Sequence, residues 1–210
     1  MTNSTISPRD LYLMVKNAQK ITDLRDILCM FKSPLLKIDK ENAENVIYFI
    51  KTIKRAIKED APKDAKNGSI INDGYDAGLD YLKFKLKAVL DEIEKYRILQ
   101  IKKTGIEKLK IGYMPTIGYY IEVTKSDSVR VPESYFKKQK LSNCVRYSTN
   151  YLSDLEEEFG SLKFKINELE FELYKQIREI AHVYSQAVRL VAADIAQIDC
   201  INSMAICAIQ

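Results

Sequence analysis

The residues of this sequence that could do chemistry are basic, and they lie in one stretch. Between Lys95 and Asn150 there are twelve lysine and arginine residues and only four acids, a net charge of +8, whereas the rest of the 210-residue chain carries −4. Cations clustered in this way are the electrostatic footprint of contact with nucleic-acid phosphates. A solvated surface with chance clustering explains the same composition, and the charge count alone leaves both interpretations open.

Tyrosines are interspersed among these cations. Aromatic rings between basic side chains can stack on nucleic-acid bases. A small β element has few other apolar side chains to bury, so we favour a core role over base stacking. The tyrosines concerned are Tyr113, Tyr119, Tyr120, Tyr135 and Tyr147.

No pattern in the sequence is typical of an enzyme. Gly112 and Gly118 enclose five residues rather than the four of a phosphate-binding loop, and Tyr119 follows where that loop requires lysine. The single histidine, His182, falls within a long helical pattern, where a packing or surface role is expected. The carboxylates follow helical surface spacing, so we predict no catalytic residue and no enzymatic activity for this chain.

The cysteines indicate a reducing compartment. Cys29, Cys144, Cys200 and Cys207 include no C-x-x-C pair, and one histidine cannot complete a usual zinc site. We therefore expect reduced, mostly buried thiols, no metal site, and a cytoplasmic or nuclear location. The N-terminus does not have the pattern of a signal peptide, and no window reaches the length of a transmembrane helix, so no membrane association is expected.

The elements that must position the basic stretch are mainly helices. Ser7 and Pro8 are typical of a helix start. From Ile106 to about Tyr147 the residues alternate and favour strands, with a hairpin turn at Met114–Thr116. Before this β-like stretch, apolar periodicity predicts helices over residues 11–20, 23–31, 41–57 and 77–103.

The last third of the chain has an eleven-residue apolar repeat, which is typical of a nearly straight helix. We predict one helix over about 150–208, which must pack its apolar stripe on earlier helices or on a partner. The fold class is therefore mainly α with a small inserted α+β tip. The stripe consists of Leu162, Ile166, Leu169, Leu173, Ile177, Ile180, Tyr184, Val188, Val191, Ile195 and Ile198.

Five blocks of sequence resemble, in family order, the MutS family of DNA mismatch-repair proteins. The blocks are SPRDLYLMVKNAQKITDLRDIL, IINDGYDAGLDYLK, KTGIEKLKIGYMPTIGYYIEVTK, VPESYFKKQKLSNCVRYSTNYLSDLEEE, and a last one from ELEFELYKQIREI to AADIAQIDCINSMAICA. Together they span nearly the whole length of the chain.

The resemblance implies long antiparallel lever helices with an inserted β-containing clamp that contacts the backbone of double-stranded DNA. It divides the chain into partial core and lever helices over 1–70, a clamp region with its outgoing helix over 71–165, and a returning lever helix over 166–210. Six basic residues of the matched clamp region become the candidates for phosphate contact: Lys125, Arg130, Lys137, Lys138, Lys140 and Arg146.

The blocks include neither the mismatch-reading domain nor the ATPase domain of the family. ATP and magnesium are therefore implied only for full-length members, and we expect no cofactor in this chain, which would be a fragment or an unusually short member. Another MutS-like subunit or a separate ATPase-bearing chain is an expected partner beside DNA. Two alternatives stay open: a helical scaffold that associates through its apolar stripe, and the clamp of a recombination-type MutS homologue.

Overall fold

The computed structural model describes residues 6–18 and 20–209, which are mainly helical with one small sheet. The α-helices are α1 (Pro8–Ala18), α2 (Lys20–Leu28), α3 (Lys40–Ala56), α4 (Ala77–Thr104) and α5 (Asn150–Ile209). Between α4 and α5 lie the strands β1 (Lys110–Met114), β2 (Gly118–Thr124), β3 (Phe136–Lys140) and β4 (Cys144–Ser148). The predicted fold class, a mainly helical chain with a small inserted β element, is confirmed.

The helices begin where side chains cap their first amides. The backbone N–H of Asp10 donates to Ser7 Oγ at 3.1 Å, as expected for the start of α1. The N–H of Asn42 donates to Asp39 Oδ1 at 2.8 Å at the start of α3. Helix α2 begins and ends three residues earlier than predicted, whereas α3, α4 and α5 match their predicted bounds to within about one residue.

The chain divides into two compact units, one formed by Ala77–Ile166 and the other by the described residues up to Asp76 and from Asn167 onward. In the latter unit, the apolar side of α5 is covered by earlier helices. The ring of Tyr184 lies 5.6 Å from that of Tyr48 and 6.3 Å from that of Phe49, measured between centroids. No member of the predicted apolar stripe is exposed; each is buried or half-buried.

The unit Ala77–Ile166 contains the sheet, whose strand order is β1-β2-β4-β3 with antiparallel neighbours. Ile121 of β2 pairs with Tyr147 of β4, and Val123 pairs with Val145, so one face of the two central strands is apolar and buried. Strand β3 lies inside the predicted β-like stretch, but the sequence did not define its bounds, because FKKQK shows no apolar alternation. It forms as the edge strand paired with β4.

The expectation that the cysteines are mostly buried is wrong. Cys29, Cys200 and Cys207 are exposed, and Cys144 is half-buried. Cys207 lies in the final turns of α5, where residues 202–208 are all exposed. The apolar repeat of α5 ends at Ile198, nine residues before Cys207.

The expectation that no stretch of the sequence is long enough to be a transmembrane helix is also wrong, judged by length and composition alone. One helix in the described part of the chain, α5, contains an 18-residue window that passes such a test, and 11% of that window is buried. After Arg189 the helix carries only two charged residues, Asp194 and Asp199, among mainly apolar ones. The core helices of soluble proteins pass the same test.

We expect opposite effects on stability from alanine at two glycines. Gly118 has φ +73°, and a Cβ there would overlap the carboxylate of Glu156. Gly118→Ala should therefore lower the free energy of unfolding by about 2 kcal/mol, measured by urea denaturation. Gly160 lies inside α5 with nothing within 4 Å of an added Cβ, so Gly160→Ala should raise it by about 1 kcal/mol. Equal effects of the two substitutions would contradict this assignment.

Candidate nucleic-acid interface

The strand register collects basic residues at one end of the sheet. Lys110, the first residue of β1, pairs with Glu122 of β2. Lys140, the last residue of β3, pairs with Val145 near the start of β4. Lys125 directly follows β2 at the same end. With the lysine two positions before β1, these residues form what we name the lysine end: Lys108, Lys110, Lys125 and Lys140.

Backbone hydrogen bonds hold the loops of the lysine end in place. The N–H of Lys125 donates to the carbonyl oxygen of Asn143 at 3.3 Å, which joins the loop after β2 to the turn before β4. The chain then forms a 3₁₀ turn, Asp127–Arg130. Arg130 Nη1 donates to the carbonyl oxygen of Gly105 at 3.5 Å and so reaches the turn that precedes β1. Arg130 therefore lies beside the lysine end.

The four side chains of the lysine end are exposed, and within the described residues none of them has a hydrogen-bond or ion-pair partner. An exposed ammonium without an internal partner is hydrated, and it can exchange that water for a phosphate oxygen at little cost. Three of the six sequence-predicted residues, Lys125, Arg130 and Lys140, are thus brought together by the fold.

Lys138 is bound inside the fold instead. Its Nζ donates to the carbonyl oxygens of Ile117 at 2.8 Å and Tyr119 at 3.0 Å. It also forms an ion pair with Glu156 Oε2 at 3.0 Å, and its side chain is only 19% exposed. These three acceptors match the three N–H donors of an ammonium group. Its neighbour Lys137 is exposed.

Arg146 is likewise occupied, on the face of the sheet opposite the apolar one. Its Nε donates to Glu122 Oε2 at 3.0 Å, and its side chain is 15% exposed. Its Nη1 donates to Gln139 Oε1 at 2.9 Å and lies 3.0 Å from Met114 Sδ. The guanidinium carbon lies 4.3 Å from the centroid of the Tyr120 ring, a cation–π distance. Arg146 therefore contacts side chains from every strand of the sheet.

Lys108 and Lys110 lie at the lysine end, but sequence reasoning did not select them as candidates. Both were counted in the basic stretch, yet neither was selected as a candidate for phosphate contact. The signal was available in the sequence. The hairpin turn, which the structure places at residues 115–117, sets Lys110 opposite Glu122, close to the end of β2 where Lys125 follows.

The tyrosines of the basic stretch divide between core and surface. Tyr119, Tyr135 and Tyr147 are buried, as the core interpretation predicts, while Tyr120 is half-buried and Tyr113 is exposed. The Tyr135 hydroxyl donates to Gln100 Oε1 at 2.7 Å. Burial raises the pKa of Tyr135 well above its ordinary value, and burial also raises the pKa of Tyr119. Both hydroxyls are therefore neutral near pH 7.

The pKa of the half-buried Cys144 thiol is affected by charges near the lysine end. Burial raises the pKa of its thiol, and the Glu122 carboxylate raises it further. The cations Arg146 and Lys125 act in the opposite direction.

No cluster of three or more His, Cys, Asp or Glu side chains that could hold a metal ion is found in the described part of the chain.

Fold and surface together define a mainly helical protein with a basic four-stranded sheet inserted between two of its helices. Residues 74–165 match the profile of "MutS family domain IV". The chain is 38% identical over 206 residues to the DNA mismatch repair protein MutS of Caldicellulosiruptor saccharolyticus, which covers 98% of this chain and 24% of that protein. It is 35% identical over 210 residues to the MutS of Persephonella marina and 36% identical over 210 residues to that of Aquifex pyrophilus, covering 100% of this chain in both cases.

The chain belongs to the MutS family. It spans about a quarter of the length of the curated relatives that it matches. The resemblance inferred from the five sequence blocks is thereby confirmed.

We expect Lys138 and Lys137 to differ sharply in their effect on stability. Lys138→Met leaves two carbonyl oxygens and the Glu156 carboxylate without their donor, so the free energy of unfolding should fall by about 2 kcal/mol. The matched change Lys137→Met, at an exposed neighbour, should alter it by less than about 0.5 kcal/mol. Urea denaturation of both variants measures the difference, and a Lys138 variant as stable as the parent would show that its three contacts contribute nothing.

Proposed function

We propose that this chain binds duplex DNA through the sugar-phosphate backbone, as the clamp region of a MutS-like mismatch-repair protein. The observation that carries the proposal is the lysine end, where the fold gathers exposed cations that have no internal partner among the described residues. The relatives cited above are named DNA mismatch repair protein MutS, which agrees with this role.

The width of the sheet suits a series of phosphates. Neighbouring strands lie about 4.8 Å apart, so Lys110 on β1 and Lys140 on β3 are separated by about 14 Å across the four strands. One DNA strand presents a phosphate about every 3.4 Å along the helix axis, so lysines this far apart can reach different phosphates. Lysine acts on phosphate as a point charge and carries no base information, so the proposed binding is independent of sequence.

The proposed role is binding rather than catalysis. It requires no ATP and no magnesium, and it assigns no reaction step to any residue of the chain. Mismatch reading and nucleotide-driven steps would come from other parts of a MutS-like protein, supplied by another MutS-like subunit or by an ATPase-bearing chain.

The burial of the α5 stripe favours this role over a helical scaffold. The scaffold alternative was motivated by a stripe that would seek a partner, and within the described residues every stripe member is at least half-buried. The clamp of a recombination-type homologue would use the same backbone contacts, so this surface does not separate it from a repair clamp.

We expect weak DNA binding with a strong dependence on salt and no preference for a mismatch. Fluorescence anisotropy of short duplexes, matched and mismatched, titrated from about 50 to 200 mM salt, measures it. Four phosphate contacts predict a slope of log K against log salt between about −3 and −4. The two duplexes should give equal affinities, because backbone contacts do not read bases. Absence of binding at about 50 mM salt, or binding insensitive to salt, would rule out the proposed function.

A further inference from the structure

Lys110 has an acid directly opposite it in the sheet, yet its side chain forms no ion pair with that acid among the described residues. Directly opposed residues on antiparallel strands have Cβ atoms about 5 Å apart, so a lysine and a glutamate in these positions normally form a pair. Lys110 and Glu122 are in register, but no ion pair joins them within the described residues. The reason lies on the other side of Glu122.

Glu122 is held by Arg146 from the opposite strand. The two residues are also in register, and Arg146 Nε lies 3.0 Å from Glu122 Oε2. Arginine is the better partner because its guanidinium is planar and less strongly hydrated than an ammonium. In the row Lys110–Glu122–Arg146, two cations flank one carboxylate, and the outer lysine keeps its charge for an external anion.

Arg146 cannot easily move away from this carboxylate. Its guanidinium lies over the ring of Tyr120, and that ring rests on Gly112 of β1, where an added Cβ would lie only 2.7 Å from the ring carbon Cζ. Gln139 holds the guanidinium from β3. The side chain is therefore fixed by contacts on several sides, all of them inside the sheet.

We propose that Lys110 is a phosphate ligand and that Arg146 is a positioning residue that keeps Lys110 available by holding Glu122. The inference rests on the proposed function. It adds a ligand that the sequence candidates lacked, and it changes the role of one of them, because Arg146 acts on DNA binding through Glu122 and Lys110 rather than by touching phosphate.

The salt slope of DNA binding distinguishes these roles, since each lost phosphate contact lowers its magnitude by about 0.9. Lys110→Gln should lower it by that amount, as should Lys125→Gln, an exposed member of the lysine end that serves as the reference. Arg146→Met should also lower it by about one contact, because Glu122 is released and pairs with Lys110. The double variant Arg146→Met/Glu122→Gln should restore the slope of the parent chain, because Lys110 is free again.

Restoration in the double variant is the outcome that a phosphate-contacting Arg146 could not give. If the double variant keeps the reduced slope, Arg146 touches phosphate and its positioning role is wrong. If Lys110→Gln leaves the slope unchanged while Lys125→Gln lowers it, the proposal is overturned and backbone binding stands. A parent chain without salt-dependent binding overturns the proposed function itself.

Folding of the Arg146 variants is checked by circular dichroism at the temperature of the titration. Should Arg146→Met fail to fold, Lys110→Gln still decides whether Lys110 is a ligand, because its side chain is exposed and makes no contact that folding needs. Lys87→Gln provides a matched surface control, because Lys87 is an exposed lysine of α4 outside the basic stretch. Its effect on the slope should be smaller than that of Lys110→Gln, and an equal effect would refute a site centred on the lysine end.

Discussion

The ion pair between Glu122 and Arg146 depends on a register that the whole sheet shares. In that register, Ile121 faces Tyr147 and Val123 faces Val145 on the buried side, while Glu122 and Arg146 meet on the other. A slip of one residue would send the apolar side chains outward and bury the charged pair, so burial of one face and pairing on the other enforce the same alignment. The positions of the surface lysines follow from this alignment, because they occupy strand ends.

The helices and the first hairpin could be predicted from sequence because their signals are local. Ser7 and Pro8 define a helix start, and the eleven-residue repeat from Leu162 to Ile198 defines the central part of α5. Strand β3 gave no such signal, since Lys137, Lys138 and Lys140 leave no apolar alternation to detect. It exists because β4 offers it a partner, and a partner distant in the chain is invisible to a local pattern. The exposure of the cysteines was not predicted for a related reason. Burial depends on which helices pack against each other, and a local sequence pattern does not contain that information.

The basic site could be predicted in charge but not in detail. A charge count treats every cation alike, so it ranked Lys138 and Arg146 with Lys125 and Lys140. The fold separates them by whether an acceptor lies within reach: the Lys138 ammonium donates to two carbonyl oxygens and Glu156, whereas the Lys125 side chain has no acceptor among the described residues. Such acceptors come from distant parts of the chain, and only three-dimensional structure reveals them. The family resemblance located the region and was equally unable to make this distinction.

The lysines on the two outer strands have a consequence for the protein when it is alone in solution. Strands β1 and β3 are the edges of the sheet and carry unpaired backbone groups that could pair with a strand of another molecule. Lys110 on one edge and Lys137 and Lys140 on the other place positive charge along those edges, and two copies approaching edge to edge would repel each other. Positive charge on both edge strands therefore disfavours edge-to-edge association of two copies of the sheet. Neutralising these lysines, by substitution or by a bound polyanion, would remove this repulsion and favour aggregation through the sheet edges.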